Sequence, residues 1–483
     1  MRAYLTVDLG TTGCRSAVFD EKLNMLAYDY EEYGLITPQE NYAEQNAELW
    51  WKLTLKTAKE AIEKCGISAE SIKSISISSQ GITIVPVDEK INPLSNALSW
   101  LDTRAKEETM EIEHDMGFEA MYELTGKRID SAYTLPKILW LKKHRREIYD
   151  KAYKLLMPLD FLIARFTGSC ITDHSMASGT LMYDVGNRCW SKKILDFYGI
   201  DEKKLPGISY GDKIAGTVLP DVAQLLGLSS DCVVAVGGQD QKCAAYGAGL
   251  DKDTVTVSLG TAAAITRIFE ESENLADISL GRCGYVNPDF LVTEGVINTA
   301  GTCLRWVRDM LFKGEDYAAI NAEAEESLKK GSSVLFYPYL NGASSPYFYK
   351  ESTGCFYGMS LSTVRGDFAL AVMEGIAFQI RTLLEVMGEY ESINNIVLFG
   401  GGANGTLWPQ IIADVTGLSV KVPESAEVAS LGAARLAAKA LGHQEKNLSF
   451  KSVFTPTSMK EEYKKKYIKY RKIEKTLWEE EKA

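Results

Sequence analysis

The sequence predicts an α/β protein built as two related lobes, and three observations carry that expectation. Tyr4 to Asp20 reads as a hairpin: an alternating apolar run, a Gly-Thr-Thr-Gly turn and a second apolar run. Thr256 to Glu270 repeats it; laid under Thr6 to Asp20 without a gap, it matches Thr6, Val7, Leu9, Gly10, Thr11 and Phe19. Around both copies, short apolar strands are interleaved with segments whose apolar residues recur at helical spacing. At 483 residues the chain exceeds one ordinary core. The glycine and charge content of Ala248 to Asp253 marks a junction, so the expected domains are residues 1–249 and 250–483.

The hairpin tips carry the first chemical signal. Backbone amides of Gly10 to Gly13 and the hydroxyls of Thr11 and Thr12 suit a phosphate-sized anion. Asp8 beside them suits Mg²⁺ carried by a nucleotide. The second copy keeps Gly260 and Thr261 but places Ser258 where the first has Asp8. Two such loops with one acid imply duplicated halves that share a single polyphosphate.

The totals exclude several classes. Hydrophobic content of 46% with 24% charged residues is that of a soluble globular protein. A net charge of −12 argues against a nucleic-acid surface, so a polyanionic ligand must be held by amides, metal and a few placed side chains. The nine cysteines form no Cys-x-x-Cys pair and there are four histidines, which disfavours a zinc site or a disulfide framework. Cys14, Cys232 and Cys243 are expected to be small buried hydrophobes. No apolar run nears the roughly 18 residues of a membrane span, and strand residues begin at Ala3 where a signal peptide would lie. A cytoplasmic protein is expected, with no nucleic acid or membrane partner and with a homodimer allowed for.

In chain order, Met25 to Tyr30 is a third strand after the turn Asp20 to Leu23, and Glu48 to Lys64 a helix with Leu49, Leu53, Ala58 and Ile62 on its apolar face. Ser74 to Ser78 and Ile82 to Val87 read as strand on either side of a bend at Gln80-Gly81, where a ligand comes close. Ala97 to Arg104 reads as extended, which puts Trp100, Asp102 and Arg104 on one side. That trio suits a polyhydroxylated ligand or, equally, a surface strand with a salt bridge. Lys106 to Tyr149 is helical, interrupted near Thr125-Gly126 and at Pro136; a strand at Tyr153 to Met157 and a helix at Asp160 to Phe166 follow. Asp173 to Ser178 is a polar loop that borders a pocket.

Cys232 to Leu250 runs from an apolar strand through Gly237-Gly238 into a helix opened by Asp240. Asp240 in such a turn is either a helix cap or a carboxylate thrust into the crevice at the strand's C-terminal end; paired phosphate loops favour the second. Later come helices at Thr299 to Leu311 and Asp367 to Gly388, with an apolar strand, Leu335 to Leu340, between them. Ile396 to Gly405 contains a literal Gly-x-Gly-x-x-Gly (Gly400, Gly402, Gly405) between a strand and the helix Leu407 to Thr416. An NAD-dependent dehydrogenase is disfavoured, because only helix is expected after the strand Leu418 to Val422. Three consecutive glycines serve as well as a shelf beneath a purine. Ala429 to Leu441 is a helix whose Gly432 and Ala433 admit a close neighbour, as either a hinge between lobes or an ordinary tightly packed helix pair requires. Met459 to Lys482 closes the chain as an amphipathic helix with Tyr463, Tyr467 and Tyr470 on one stripe.

With these motifs in place, the chain resembles the FGGY family of carbohydrate kinases, within the actin and sugar-kinase ATPase superfold, over essentially its whole length. Asp8 to Gly13 is similar to the family's first phosphate loop, Ser258 to Thr261 to the second, Gly237 to Gln241 to the segment of the catalytic acid, Gly400 to Asn404 to the adenosine loop, and Gly354 to Glu374 to its longer signature. The resemblance implies two ribonuclease-H-like (actin-like ATPase) domains with an interdomain cleft. It also implies ATP and Mg²⁺, and transfer of the γ-phosphate to a hydroxyl of a small sugar or polyol. Carried over by position, Asp240 would be the general base and, with Asp8, a metal contact. Gly10, Thr11, Thr12, Arg15, Gly260, Thr261, Gly401, Gly402 and Asn404 would bind ATP, the last three on its nucleoside. Gln80, Gly81, Trp100, Asp102, Arg104 and Asp240 would line the acceptor site.

Two departures bear on the substrate. Members often carry Gly-Glu-Arg-x-Pro after a Pro-Tyr-Leu run, whereas Pro338-Tyr339-Leu340 here leads to Gly342-Ala343-Ser344. Xylulose-type members commonly have Met-His-Gly where this chain has Ser79-Gln80-Gly81. D-xylulose is the first expectation, followed by gluconate or another sugar or polyol. A non-catalytic ATP- or sugar-binding sensor is the reading from a different class, disfavoured by the presence of both Asp8 and Asp240.

Overall fold

The structure, a computed structural model, describes residues 2–269, 279–349, 351–388, 392–443 and 448–478. Glu270, the last residue of the repeated hairpin, and residues 479–482 of the expected closing helix lie outside the described residues. The chain forms two compact units. The first takes Met1–Gly247, Arg282–Val292 and Glu427–Asn447; the second takes Ala248–Gly281, Thr293–Ala426 and Leu448–Ala483. A single cut after residue 249 thus lies within two residues of the first crossing, but two later segments return to the first unit.

The first unit is organised on strands β1 (Ala3–Leu9), β2 (Gly13–Asp20), β3 (Met25–Glu32), β4 (Ile72–Ser79), β5 (Ile214–Thr217) and β6 (Val233–Gln239). They form one sheet in the order β5-β6-β4-β1-β2-β3. β1 is buried along its length except at Asp8, as a strand inside the sheet is, and that burial includes the polar Thr6. It pairs antiparallel with β2 and parallel with β4, and β4 in turn runs parallel to β6. Helix α1 (Ala47–Lys64) starts where the Asn46 side chain accepts a hydrogen bond from the Leu49 amide. Its Thr57 hydroxyl then meets that of Ser16 on β2, 2.7 Å away.

The second unit repeats the plan. Its sheet is built on β7 (Thr254–Leu259), β8 (Ala263–Phe269), β11 (Asn395–Phe399), β12 (Ser419–Pro423) and β13 (Phe450–Phe454), joined by β9 (Gly281–Gly284) and β10 (Leu291–Ile297), of which residues 282–292 are counted with the first unit. The sheet order is β9-β10-β8-β7-β11-β12-β13. β7 pairs antiparallel with β8 and parallel with β11, as β1 does with β2 and β4. The hairpins differ by one residue in the turn: Leu9 faces Cys14, whereas Leu259 faces Ala263. The ungapped sequence match therefore holds along the first strand and loop, and Phe19 and Phe269 are not equivalent in register. Helix α2 (Arg365–Val386) is buried on nearly every side. It packs on the closing helix Lys460–Trp478, where the Gln379 amide donates to the Tyr470 hydroxyl at 2.9 Å. Tyr463, Tyr467 and Tyr470 are buried as their spacing predicts.

Several expectations are corrected. Only Ala97–Leu98 of the stretch to Arg104 is strand; the chain then turns, with the Asp102 amide donating to the Ser99 carbonyl at 3.0 Å. Ile82 has a positive φ of 53°, so strand resumes only at Val85–Val87. Pro136 is the third residue of the helix Thr134–His144, a first-turn position where its missing N–H breaks no helical bond. β13 follows Val422, where only helix was expected, and pairs antiparallel with β12 as the sheet's last strand. The small-residue helix, Val428–Ala440, packs on Asp240–Gly247 inside the first unit. A Cβ on Gly432 would lie 1.9 Å from the Cys243 carbonyl oxygen, so this is a tight helix pair rather than a hinge. All nine cysteines are free thiols, and Cys14, Cys232 and Cys243 are buried. No helix among the described residues is long and apolar enough to cross a membrane.

Candidate active site

Three adjacent parallel strands deliver the chemistry of the first unit. Asp8 lies near the C-terminal end of β1, Gln80 follows β4 and Asp240 follows β6, the end of a parallel sheet at which ligands bind. Ser78 on β4 pairs with Asp8 on one side and Gly238 on the other, and its hydroxyl donates to Asp8 Oδ1 at 2.8 Å. Burial pushes the Asp8 carboxyl above its ordinary range, against the opposing pull of Ser78 and of Arg15. β6 reaches the site through an irregularity between Ala235 and Gly238. There Gly237 has φ 77° and its missing Cβ would meet the Ile77 carbonyl oxygen at 1.9 Å. Only glycine fits, and the irregularity aims the next residues outward.

Asp240 opens its helix, and its Oδ1 accepts from the Gln241 amide at 2.7 Å and from the Gln239 side-chain amide. These two bonds orient the carboxylate. Gln80 is 1% exposed, its amide donating to Gln45 Oε1 at 2.9 Å. In the first loop Gly10 N–H donates to the Gly13 carbonyl at 2.9 Å, Thr12 O accepts from the Tyr33 amide at 2.9 Å and Thr11 O from Gln45 at 2.7 Å. Trp100 joins that loop, its indole N–H donating to the Thr11 hydroxyl at 3.0 Å.

Other expected residues stand elsewhere. Arg15 faces Asp8 across the hairpin in register, but its guanidinium is ion-paired with Glu427 and lies over the rings of Tyr28 and Tyr30. Asp102 is fully buried, bound by the Ala43 amide at 2.7 Å and by Arg104 Nη2 at 2.7 Å. Arg104 also bonds Glu44 at 2.7 Å and stacks on Tyr42, 3.6 Å from the ring centre. This is a closed ionic knot beneath Trp100, not a row of three side chains facing a ligand. Asp173, expected in a pocket-bordering loop, is buried and caps the short helix His174–Ala177 through the Ser175 and Met176 amides.

In the second unit Gly260, Thr261, Gly401, Gly402 and Asn404 line one cavity of about 640 Å³. Its floor depends on close approach: a Cβ on Gly402 would collide with Leu259 at 2.4 Å. The second loop also docks on the helix Gly301–Leu311, whose Gly301 amide donates to the Gly260 carbonyl at 2.9 Å. That helix contributes residues that the motifs did not reveal. Arg305 reaches the Thr261 hydroxyl at 3.4 Å, and Arg308 the Tyr317 hydroxyl at 3.2 Å; both arginines line the cavity with Asn321 and Trp408. Their three-residue spacing places both on one helix face, but nothing before the loop docks marks that face as functional. The Gly-x-Gly-x-x-Gly segment forms part of this cavity, with Gly401–Ala403 as a single 3₁₀ turn.

Comparison with known proteins gives the family and the fold. Residues 3–247 match the model of the "FGGY family of carbohydrate kinases, N-terminal domain", and residues 255–441 that of its C-terminal domain. A xylulose kinase of Bacillus subtilis is 31% identical over 441 residues, 91% of this chain and 88% of that protein. Crystal structures of a gluconate kinase and of a ligand-bound xylulose kinase, both from Lactobacillus acidophilus, superpose with TM-scores of 0.90 at 23% identity, each covering 99% of this chain and 98% of its own. At that identity the likeness is one of fold.

Proposed function

Because this chain belongs to the FGGY family of carbohydrate kinases, an ATP-dependent family with the actin-like ATPase fold, we propose that it phosphorylates a ketopentose, D-xylulose first. The observation that carries the choice is the xylulose kinase relative at 31% identity over nine-tenths of the chain. Fold likeness alone does not choose, since gluconate and xylulose kinases superpose equally well.

The nucleoside of ATP would rest in the cavity of the second unit on Gly401, Gly402 and Asn404. Within the second unit, Thr261, Gly260 and Arg305 would meet its phosphates; in the first unit, the loop with Thr11 and Thr12 keeps the phosphate-contacting role that the family resemblance gives it. The acceptor would lie against Gln80, Gly81 and Trp100, with Asp102 and Arg104 holding that wall from behind. Asp240 would take the proton of the attacking hydroxyl, its orientation already fixed by Gln239 and Gln241. Two oxygen-donor acids, Asp8 and Asp240, fit Mg²⁺, which supplies charge neutralisation at the phosphates when bound. Burial that disfavours the Asp8 anion is offset by such a cation. Little covalent chemistry is asked of the protein; positioning and charge account for the rate.

The test is ADP release from Mg·ATP with D-xylulose, gluconate, glycerol, hexoses and tetritols. D-xylulose is expected to lead in kcat/KM by about tenfold or more, a discrimination of roughly 1.4 kcal/mol. A preference for gluconate or for a polyol would overturn the substrate while leaving the reaction class in place.

A further inference from the structure

We infer that Gln239 reads the acceptor: its amide N–H holds Asp240, and its amide oxygen accepts a hydrogen bond from the hydroxyl on the carbon next to the one phosphorylated. The inference rests on the acceptor reading above and narrows it to substrates that carry a vicinal diol at the reacting end.

Gln239 is the last residue of β6, and its place is fixed from three sides. Its backbone amide donates to the Ser175 hydroxyl at 3.0 Å, and Ser175 is itself held by Asp173 at 2.8 Å. Its Nε2 donates to Asp240 Oδ1. Its Cγ lies 3.3 Å from where a Cβ on Gly81 would be, so the side chain occupies the space that a larger residue at 81 would need. The amide therefore stands between the proposed base and the Gln80-Gly81 bend.

With Nε2 committed to Asp240, Oε1 is buried and has no hydrogen-bond partner among the described residues. Gln80 repeats the pattern: Nε2 is committed to Gln45 and Oε1 is buried without a partner. A buried, unmatched carbonyl costs free energy unless a donor arrives. Each Nε2 keeps a second N–H that can donate elsewhere, but the buried oxygen beside it can only accept, so at that atom each amide asks for a donor. A sugar hydroxyl is such a donor; a carbonyl, ether or methylene is not. Of the two, Gln239 is bonded to Asp240 itself, which assigns it the hydroxyl beside the reacting one.

The probe is D-xylulose set against its analogue lacking the hydroxyl on the carbon adjoining the phosphorylated one, that carbon being read from the product by phosphorus–proton NMR. The wild type is expected to favour the intact sugar by about 10²–10⁴ in kcat/KM, since a site built around a hydroxyl rejects the analogue that lacks it. In Gln239→Met, which keeps the bulk and removes the amide, that preference is expected to fall below about tenfold. kcat should fall as Asp240 loses its holder, the KM for D-xylulose should rise, and the KM for ATP should stay unchanged. Wild-type discrimination retained in Gln239→Met overturns the inference, as does a wild type that hardly discriminates or that phosphorylates the hydroxyl beside the keto group. Failure of the wild type to phosphorylate D-xylulose at all overturns the acceptor reading itself, and this inference with it.

Discussion

Trp100 and Asp102 are two residues apart in sequence and do different work. The indole of Trp100 is 37% exposed and bonded to the Thr11 hydroxyl, whereas Asp102 is fully buried against Arg104 and a backbone amide. Removing one partner of a buried ion pair strands the other charge, at a cost of about 3–5 kcal/mol. Asp102→Ala is therefore expected to lower the unfolding free energy by up to that order, measured by urea denaturation, with Arg104 left to Glu44 alone. Trp100→Ala is expected to leave stability within about 1 kcal/mol and to raise the acceptor KM about tenfold. Equal unfolding losses in the two variants would contradict this division. The trio of Trp100, Asp102 and Arg104 was legible as important, but not its geometry. Alternation places side chains only if the backbone stays extended, and the turn at Ser99 is not signalled by a glycine or proline in that stretch.

At the scale of elements, the hairpin tip beside Asp8, the bend at Gln80 and the strand-to-helix turn at Asp240 were readable because glycines stand where an apolar run stops. Less readable was the short helix His174–Ala177, which braces Gln239 from below. Burial raises the Asp173 carboxyl to about 6 and lowers the His174 imidazole to about 4. Between its ordinary value near 4 and about 6, Asp173 binds a proton in the folded state before the unfolded one does, so its contribution to stability falls as pH rises through that window. His174, ordinarily near 6.5, does the reverse: the unfolded chain takes the proton first, so stability falls as pH drops from 6.5 towards 4. The two slopes oppose each other. Asparagine caps a helix as well as aspartate, so Asp173→Asn leaves the histidine slope alone. The variant is expected to lose stability on acidification from pH 6.5 to 4 by up to about 1.4 kcal/mol per pH unit more than the wild type. Parallel stability–pH curves from denaturation series would contradict the assignment. The arginines of the second unit's cavity belong to this scale too: the helix Gly301–Leu311 joins the loop of Gly260 only where its Gly301 amide bonds the Gly260 carbonyl.

For the molecule as a whole, the duplication was the most legible feature, because an echo of strand and loop survives even where the acid has become Ser258. Each hairpin carries its parallel neighbour, β4 or β11, so the repeat extends to the sheet core of both units. The return of 282–292 and 427–447 to the first unit was not legible, since those segments make their contacts far from where they lie in sequence. Strand β13 was missed for another reason: Phe450–Phe454 is half-exposed at the sheet's end and its apolar residues do not alternate. What unites both scales is the claim that Asp240 takes the acceptor's proton. The direct measurement is kcat of Asp240→Asn with saturating Mg·ATP and D-xylulose, alongside its melting curve and nucleotide affinity. The account predicts a fall of about 10²–10⁴, roughly 3–5.5 kcal/mol, with melting and ATP binding unchanged. A kcat near that of the wild type, in a variant that folds and binds ATP normally, would contradict it.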